Sequence, residues 1–191
     1  MHSVLITNRE GKILLSRYFD TRQGSLPPLV ADVSENAAEF ESGSDSGTAS
    51  MIRDRAMAMR SSESEVLGQT RHLWTKGTAE YPQVARVKGG LIIVFGAVGD
   101  LLVFLCGCRE YDELILADIL AALAKIITTL CKQGNKGQRA TEAALMSNSG
   151  TGSTYSKACL AIDEMLPGGI LETLDVDTVL GAIKLQNPST R

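Results

Sequence analysis

The stretch REYDELILADILAALAKIITTLC at 109–131 constrains the fold most, because it is the most strongly apolar run in the chain. Its large apolar residues recur at the spacing of one face of an α-helix: Leu116, Ile119, Leu120, Leu123, Ile127 and Leu130. Ile115, Ala122 and Ile126 widen this stripe into an arc that is broader than one sheet face requires. The sequence therefore predicts a helix over 111–132 that is buried on more than one side.

A membrane-spanning helix is the alternative interpretation of this run. Asp118 and Lys125 lie inside it, and each would cost about 2.5–3.5 kcal/mol at the centre of a bilayer. Asp112 and Glu113 fall in the first turn, where carboxylates interact favourably with the helix dipole. We therefore expect a core helix. Two possibilities remain open: its own domain encloses it, or one face is kept for another chain.

Length and charge limit the class of protein. The chain has 191 residues and a formal net charge of −3, which predicts a single domain and no binding of nucleic acid through its phosphates. Cys106 and Cys108 are separated by one residue, which is not the spacing of a zinc site. The first apolar run, VLI, is too short for a secretory leader. We expect a cytoplasmic protein with no metal and no cofactor.

The remaining elements follow from shorter patterns. Two strands around NREG form an N-terminal hairpin, and three strands are predicted at 83–88, 91–97 and 101–106. The last two strands are apolar at nearly every position, which predicts that both of their faces are covered. Helices are predicted at 63–75, in YSKACLAIDEMLPGG and in DVDTVLGAIKLQ. This order is an α+β fold with a mostly antiparallel sheet and helices on both faces.

Two low-complexity segments interrupt this order, at about 20–60 and at 133–153, and both are interpreted as insertions in one domain that spans 1–186. Residues 187–191 form a tail. The glycines of NSGTGS are not followed by the lysine of a phosphate-binding loop, and no serine lies in a nucleophile elbow. The sequence therefore predicts no catalytic residues.

Three blocks of the sequence resemble the longin-type small coat subunits, which include the sigma subunits of clathrin adaptors and the zeta subunit of COPI. VLITNREGKILLSRYF (4–19) and IDEMLPGGILET (162–173) are similar to both. GDLLVFLCGCREYDELILAD (99–118) is most similar to the small subunit of the TSET coat, called the TPLATE complex in plants. The matching positions are Asn8, Gly11, Lys12, Asp112, Glu113, Asp163, Glu164, Met165, Glu172 and Thr173.

This resemblance implies a longin-like domain with a five-stranded sheet and a non-catalytic role in membrane trafficking, in particular endocytosis. Such a subunit stabilises a heteromeric coat complex by binding a large adaptin-like subunit beside a medium one. The complex is recruited peripherally to the plasma membrane or other cytosolic membrane faces. On this basis we place the partner interface on the surplus face of the long helix, at Tyr111, Leu114, Ile115, Ala122 and Ile126.

Two further expectations follow from the resemblance. In clathrin-adaptor sigma subunits a basic residue on the second strand helps to bind acidic dileucine signals, whereas the matching position here is Leu14. Leucine cannot supply a charge-assisted hydrogen bond, and Arg17 matches a different position, so we do not expect cargo-signal binding.

The alternative function is a longin- or roadblock-type regulatory module that docks a small GTPase or forms part of an exchange-factor complex.

Overall fold

The computed structural model describes residues 1–19, 60–75, 77–87, 90–108, 110–134, 139–149 and 152–186. The strands are β1 (Ser3–Asn8), β2 (Ile13–Tyr18), β3 (Gln83–Val87), β4 (Leu91–Val98), β5 (Leu101–Gly107), β6 (Asn148–Ser149) and β7 (Gly152–Ser153). The helices are α1 (60–70), α2 (Glu113–Gly134), α3 (Glu142–Leu145), α4 (Thr154–Met165) and α5 (Val176–Gln186). Short 3-10 turns lie at Arg71–Leu73 and Pro167–Gly169.

One antiparallel sheet organises these elements, with the strand order β2-β1-β5-β4-β3. The N-terminal hairpin supplies β2 and β1, and the three consecutive strands β3, β4 and β5 form a meander. Pairing of β1 with β5, with Ile6 opposite Val103, joins the two units. The predicted α+β class, with a five-stranded antiparallel sheet and helices on both faces, is confirmed.

Apolar side chains cover both faces of the central strands, as the sequence predicted. Along β5, Leu101, Val103 and Leu105 join the core cluster that includes α2, α4 and α5. The alternate residues, including Phe104, join a second cluster with Trp74 and residues of α1. Phe104 stacks on Phe95 with ring centroids 5.1 Å apart. Because successive side chains of a strand point to opposite faces of the sheet, the residues of β5 contribute alternately to two separate apolar layers.

Helix α2 is a core helix whose apolar arc is covered by its own chain, while one strip that includes Asp118 and Lys125 is exposed. It contacts β4 and β5 on the sheet side and α3, α4 and α5 on its other sides. In the described part of the chain it is the one helix with the length and apolar composition to cross a membrane, but more than half of that window is buried. The apolar arc is broad because the sheet packs on one side of α2 and the other helices of the same chain pack on other sides.

The helix before the central strands differs from the prediction in its extent. The described part of helix α1 covers 60–70, and the helix ends before the predicted 75 because the chain tightens into a 3-10 turn after Thr70. The Thr70 hydroxyl donates to the Val66 carbonyl at 2.7 Å and accepts from the indole N–H of Trp74 at 3.0 Å. These bonds turn Trp74 against the sheet, where its ring closes over Gly11.

The predicted insertion at 133–153 contains structure that its composition did not indicate. Its described part holds α3 and the short pair β6–β7, and Ala140, Ala144 and Leu145 are buried in the core. The amide of Asp100 donates to the Ala140 carbonyl at 2.8 Å, which fixes the segment to the β4–β5 turn. Residues 20–59, in the other predicted insertion, and the predicted tail at 187–191 lie outside the described residues.

Candidate partner interface

The first turn of α2 is fixed by its neighbours on both sides. The Asp112 carboxylate accepts a hydrogen bond from the backbone N–H of Ile115 at 2.9 Å and so caps the helix. The Arg86 side chain on β3 donates to the Glu113 carboxylate, through Nε at 3.0 Å and also through Nη2. The pKa of Glu113 is held below its usual value by its own backbone N–H and then by Arg86. The start of the helix is therefore tied to the edge of the sheet.

Tyr111 joins the start of α2 to the turn that follows α4. Its hydroxyl donates to the Gly169 carbonyl at 2.8 Å and accepts from the backbone N–H of Leu171 at 2.8 Å. Burial raises the pKa of the Tyr111 phenol, so the hydroxyl keeps its proton at physiological pH. Both hydrogen bonds are then present together. The segment after the turn is held against the end of the molecule where α2 begins.

Three large aliphatic side chains are exposed at this end. Residues 170–174 alternate, with Ile170, Glu172 and Leu174 outward and Leu171 and Thr173 partly covered. Ile170 is 70% exposed and Leu174 is 38% exposed, while Leu114 on the first turn of α2 is 76% exposed. Because Tyr111 lies three residues before Leu114 and bonds on either side of Ile170, Leu114 and Ile170 lie at the same end of the molecule. Leu174 follows Ile170 on the outward side of the same extended segment. We call Leu114, Ile170 and Leu174 the exposed apolar patch.

The exposed side chains differ from most of the interface residues that the sequence predicted. Ala122 is 6% exposed, Ile126 is fully buried and Tyr111 is 9% exposed. The prediction that these three side chains are uncovered is wrong, because the core cluster that encloses them includes α4 and α5 of the same chain. Leu114 is exposed as predicted, and Ile115 is partly buried against the core. Among the described residues, the large apolar side chain that α2 exposes is Leu114, at its N-terminal end.

The matching positions of the N-terminal hairpin build its turn. The Asn8 side-chain oxygen accepts from the backbone N–H groups of Glu10 at 3.0 Å and Lys12 at 2.9 Å. Gly11 has φ 90°, and a side chain there would collide with the Trp74 ring. Glu142 of α3 accepts from the Lys12 ammonium at 2.7 Å and from the Asn8 amide at 3.1 Å. Asn8, Gly11 and Lys12 therefore have structural roles.

The Glu142 contacts predict a pH-dependent stabilisation. The hydrogen bond from Lys12, and then that from Asn8, lowers the pKa of Glu142 in the folded protein. A lowered folded-state pKa stabilises the protein above the unfolded value, and this contribution is lost as pH falls through the folded value. We expect Glu142→Gln to lower the melting temperature slightly at pH 7 and less at pH 3. Equal shifts at both pH values, measured by thermal unfolding, would contradict the ionic contribution.

The C-terminal matching positions also support the fold. Arg17 of β2 donates to the Asp163 carboxylate of α4. Met165 is buried, and its carbonyl accepts from the backbone N–H of Glu172 at 3.0 Å. The Thr173 hydroxyl accepts from the amide of Asp175 at 3.1 Å just before α5. These contacts hold the turn and the 170–174 segment in place.

Five further residues lie in surroundings that the fold explains. Glu164 on α4 is partly buried, next to Asp163. Leu14 is 9% exposed, and Arg17 is already ion-paired. Burial raises the pKa of the Cys106 and Cys131 thiols to about 11, which leaves both poorly reactive at neutral pH. Within the described ranges, no three His, Cys, Asp or Glu side chains are grouped to hold a metal ion.

The strand order and the helices on both sheet faces define an α+β protein that is consistent with a longin-like domain. No protein-family model matches the chain. The chain is similar to the TSET complex member tstD of Dictyostelium discoideum, with 27% identity over 180 residues. The match covers 94% of this chain and 88% of that protein. The resemblance to TSET-type small subunits that the sequence blocks indicated is thereby confirmed.

Proposed function

We propose that this chain is the non-catalytic small subunit of a TSET-type complex and that it binds a large adaptin-like subunit. The similarity to the TSET complex member tstD carries this proposal, because it extends over 94% of the chain rather than over one motif. An alignment of 180 of the 191 residues includes the central strands and α2 wherever it begins. It therefore concerns the whole domain.

The described surface supports binding rather than catalysis. The matching polar residues with defined contacts serve turns, caps and ion pairs within the chain, as Asn8, Asp112 and Asp163 do. Leu114 and Ile170, by contrast, expose most of their apolar area to solvent. Contiguous exposed apolar patches mark protein contact sites, and we propose that Leu114 and Ile170 belong to one. We propose that the complex, rather than this chain alone, associates with the cytosolic membrane face and acts in endocytic traffic.

Native purification of the chain from its own cells, with a tag after the C-terminal helix, tests this function. The expected result is recovery of a large solenoid subunit and a medium subunit in constant ratio to the tagged chain. Mass spectrometry and the native mass of the eluted complex give that ratio. Recovery of a small GTPase alone would support the regulatory alternative, and recovery of no partner in constant ratio would contradict the proposal.

A further inference from the structure

We propose that the exposed apolar patch docks a segment of the large partner subunit in which aliphatic side chains are bordered by lysine or arginine. This inference rests on the proposed function, since it specifies where the partner binds and with what chemistry. It concerns Leu114, Ile170 and Leu174 and the charged residues around them. The buried arc of α2 has no part in it.

The patch has the rigidity that a docking surface needs. Ile170 lies between Gly169 and Leu171, and both of these bond to the Tyr111 hydroxyl at 2.8 Å. Beneath the patch, Leu171 and Ile115 pack partly buried against the main core. A partner that covers Ile170 and Leu114 therefore meets side chains whose backbone is already fixed, so little ordering cost opposes binding.

The margin of the patch is acidic. Glu110 and Asp112 are exposed just before α2, and Asp118 is exposed one turn beyond Leu114. Glu172 lies between Ile170 and Leu174 on the outward face, and Asp177 is exposed at the start of α5. Arg86 of β3 also lies near the start of α2, but its positive charge is already ion-paired with Glu113. The N-terminal ammonium of Met1 also lies close by, donating to the Gly169 carbonyl at 2.8 Å, but it is buried. The exposed charges around the apolar side chains are therefore mainly acidic.

Charge distinguishes between the possible occupants. A second copy of this chain would bring its own acidic margin against this one, and juxtaposed like charges oppose association. A membrane that carries anionic lipids would be repelled for the same reason. A partner segment with aliphatic side chains and flanking Lys or Arg satisfies both the apolar and the charged parts of the surface. We therefore assign the patch to such a segment.

The apolar part is tested with the double variant Leu114→Glu, Ile170→Glu in the full-length tagged chain, purified from cells as above. We expect at least a tenfold loss of recovered large subunit. Tyr81→Glu is the matched control, because Tyr81 is 75% exposed and precedes β3 rather than α2. Melting temperature and circular dichroism of each variant check folding. Retention of the large subunit by the double variant, or its loss from the control as well, would overturn the docking inference.

The charged part is tested with Asp118→Lys, Glu172→Lys. We expect affinity for the purified large subunit to fall with rising salt in the wild type, and to be lower and less salt-dependent in the variant. An unchanged affinity and salt dependence would contradict a basic partner segment.

An error in the proposed function and an error in the docking site give different experimental results. If the wild-type chain recovers no large subunit, the proposed function is wrong. If the wild type recovers it and the patch variant recovers it equally, only the docking site is wrong. A wild-type homodimer that the double variant abolishes would show that a second copy occupies the patch and would also overturn this inference.

Discussion

Ile126→Ala is expected to lower the free energy of unfolding of the chain by about 2–5 kcal/mol. Ile126 is fully buried in the cluster that joins α2 to the sheet and to α4 and α5. Removal of most of its side chain loses apolar burial and leaves a cavity between two packed layers that can collapse only in part. Urea denaturation of the wild type and the variant measures the difference. A shift of the midpoint without a change in the m-value (the dependence of the unfolding free energy on urea concentration) reports the loss of stability.

Leu114→Ala is the matched control on the same helix. Leu114 is exposed on the first turn, so its truncation is expected to change the free energy of unfolding by less than about 0.5 kcal/mol. The same denaturation experiment compares the two. A costly Leu114→Ala together with a tolerated Ile126→Ala would mean that α2 is rotated relative to the sheet, and the assignment of its buried and exposed faces would fail.

Gly169→Ala is expected to destabilise the chain by about 2–4 kcal/mol, as the sum of backbone strain and local overpacking. Gly169 has φ 84°, where a residue with a Cβ is strained. An added Cβ would also lie 2.6 Å from Phe19 Cβ and 3.0 Å from the Met1 carbonyl oxygen. Because the Gly169 carbonyl accepts from Tyr111, displacement of the turn should also weaken the base of the exposed apolar patch.

Gly168→Ala separates strain from crowding. Gly168 has φ 62°, but nothing lies within 4 Å of the Cβ position. Only the cost of the left-handed conformation then applies, about 1–2 kcal/mol. Thermal unfolding of both variants gives the comparison. If the two substitutions cost the same, crowding of the added Cβ by Phe19 and Met1 contributes nothing to the loss of stability. The turn would then have room for a side chain at position 169.

The sequence predicted the sheet and the long helix well because both follow from local periodicity. The apolar residues at nearly every position of β4 and β5 indicated two covered faces, and the spacing of three and four residues indicated α2. The sequence could not show what covers the wide arc at Ala122 and Ile126. A partner and the chain's own helices require the same apolar residues, and the choice depends on how α4 and α5 pack after long connections.

The candidate site was predicted only in part for a related reason. Leu114 was among the predicted interface residues on the surplus face of the helix, but Ile170 and Leu174 follow the turn of Pro167–Gly169 and look like core residues in isolation. The alternation of Ile170, Glu172 and Leu174 after two glycines was the available signal for an exposed extended segment. Glu142 gave no signal, because its partner Lys12 is 130 residues away in the sequence.

Hydrogen–deuterium exchange of the chain, alone and within its purified complex, tests most directly whether the exposed apolar patch is where the partner binds. We expect new protection of backbone amides around Leu114 and across 170–174 in the complex. Amides near Ile126 should show little change, since α4 and α5 already cover that part of α2. New protection confined to α1 or to β3, with none at Leu114 or Ile170, would contradict a partner seated on this patch.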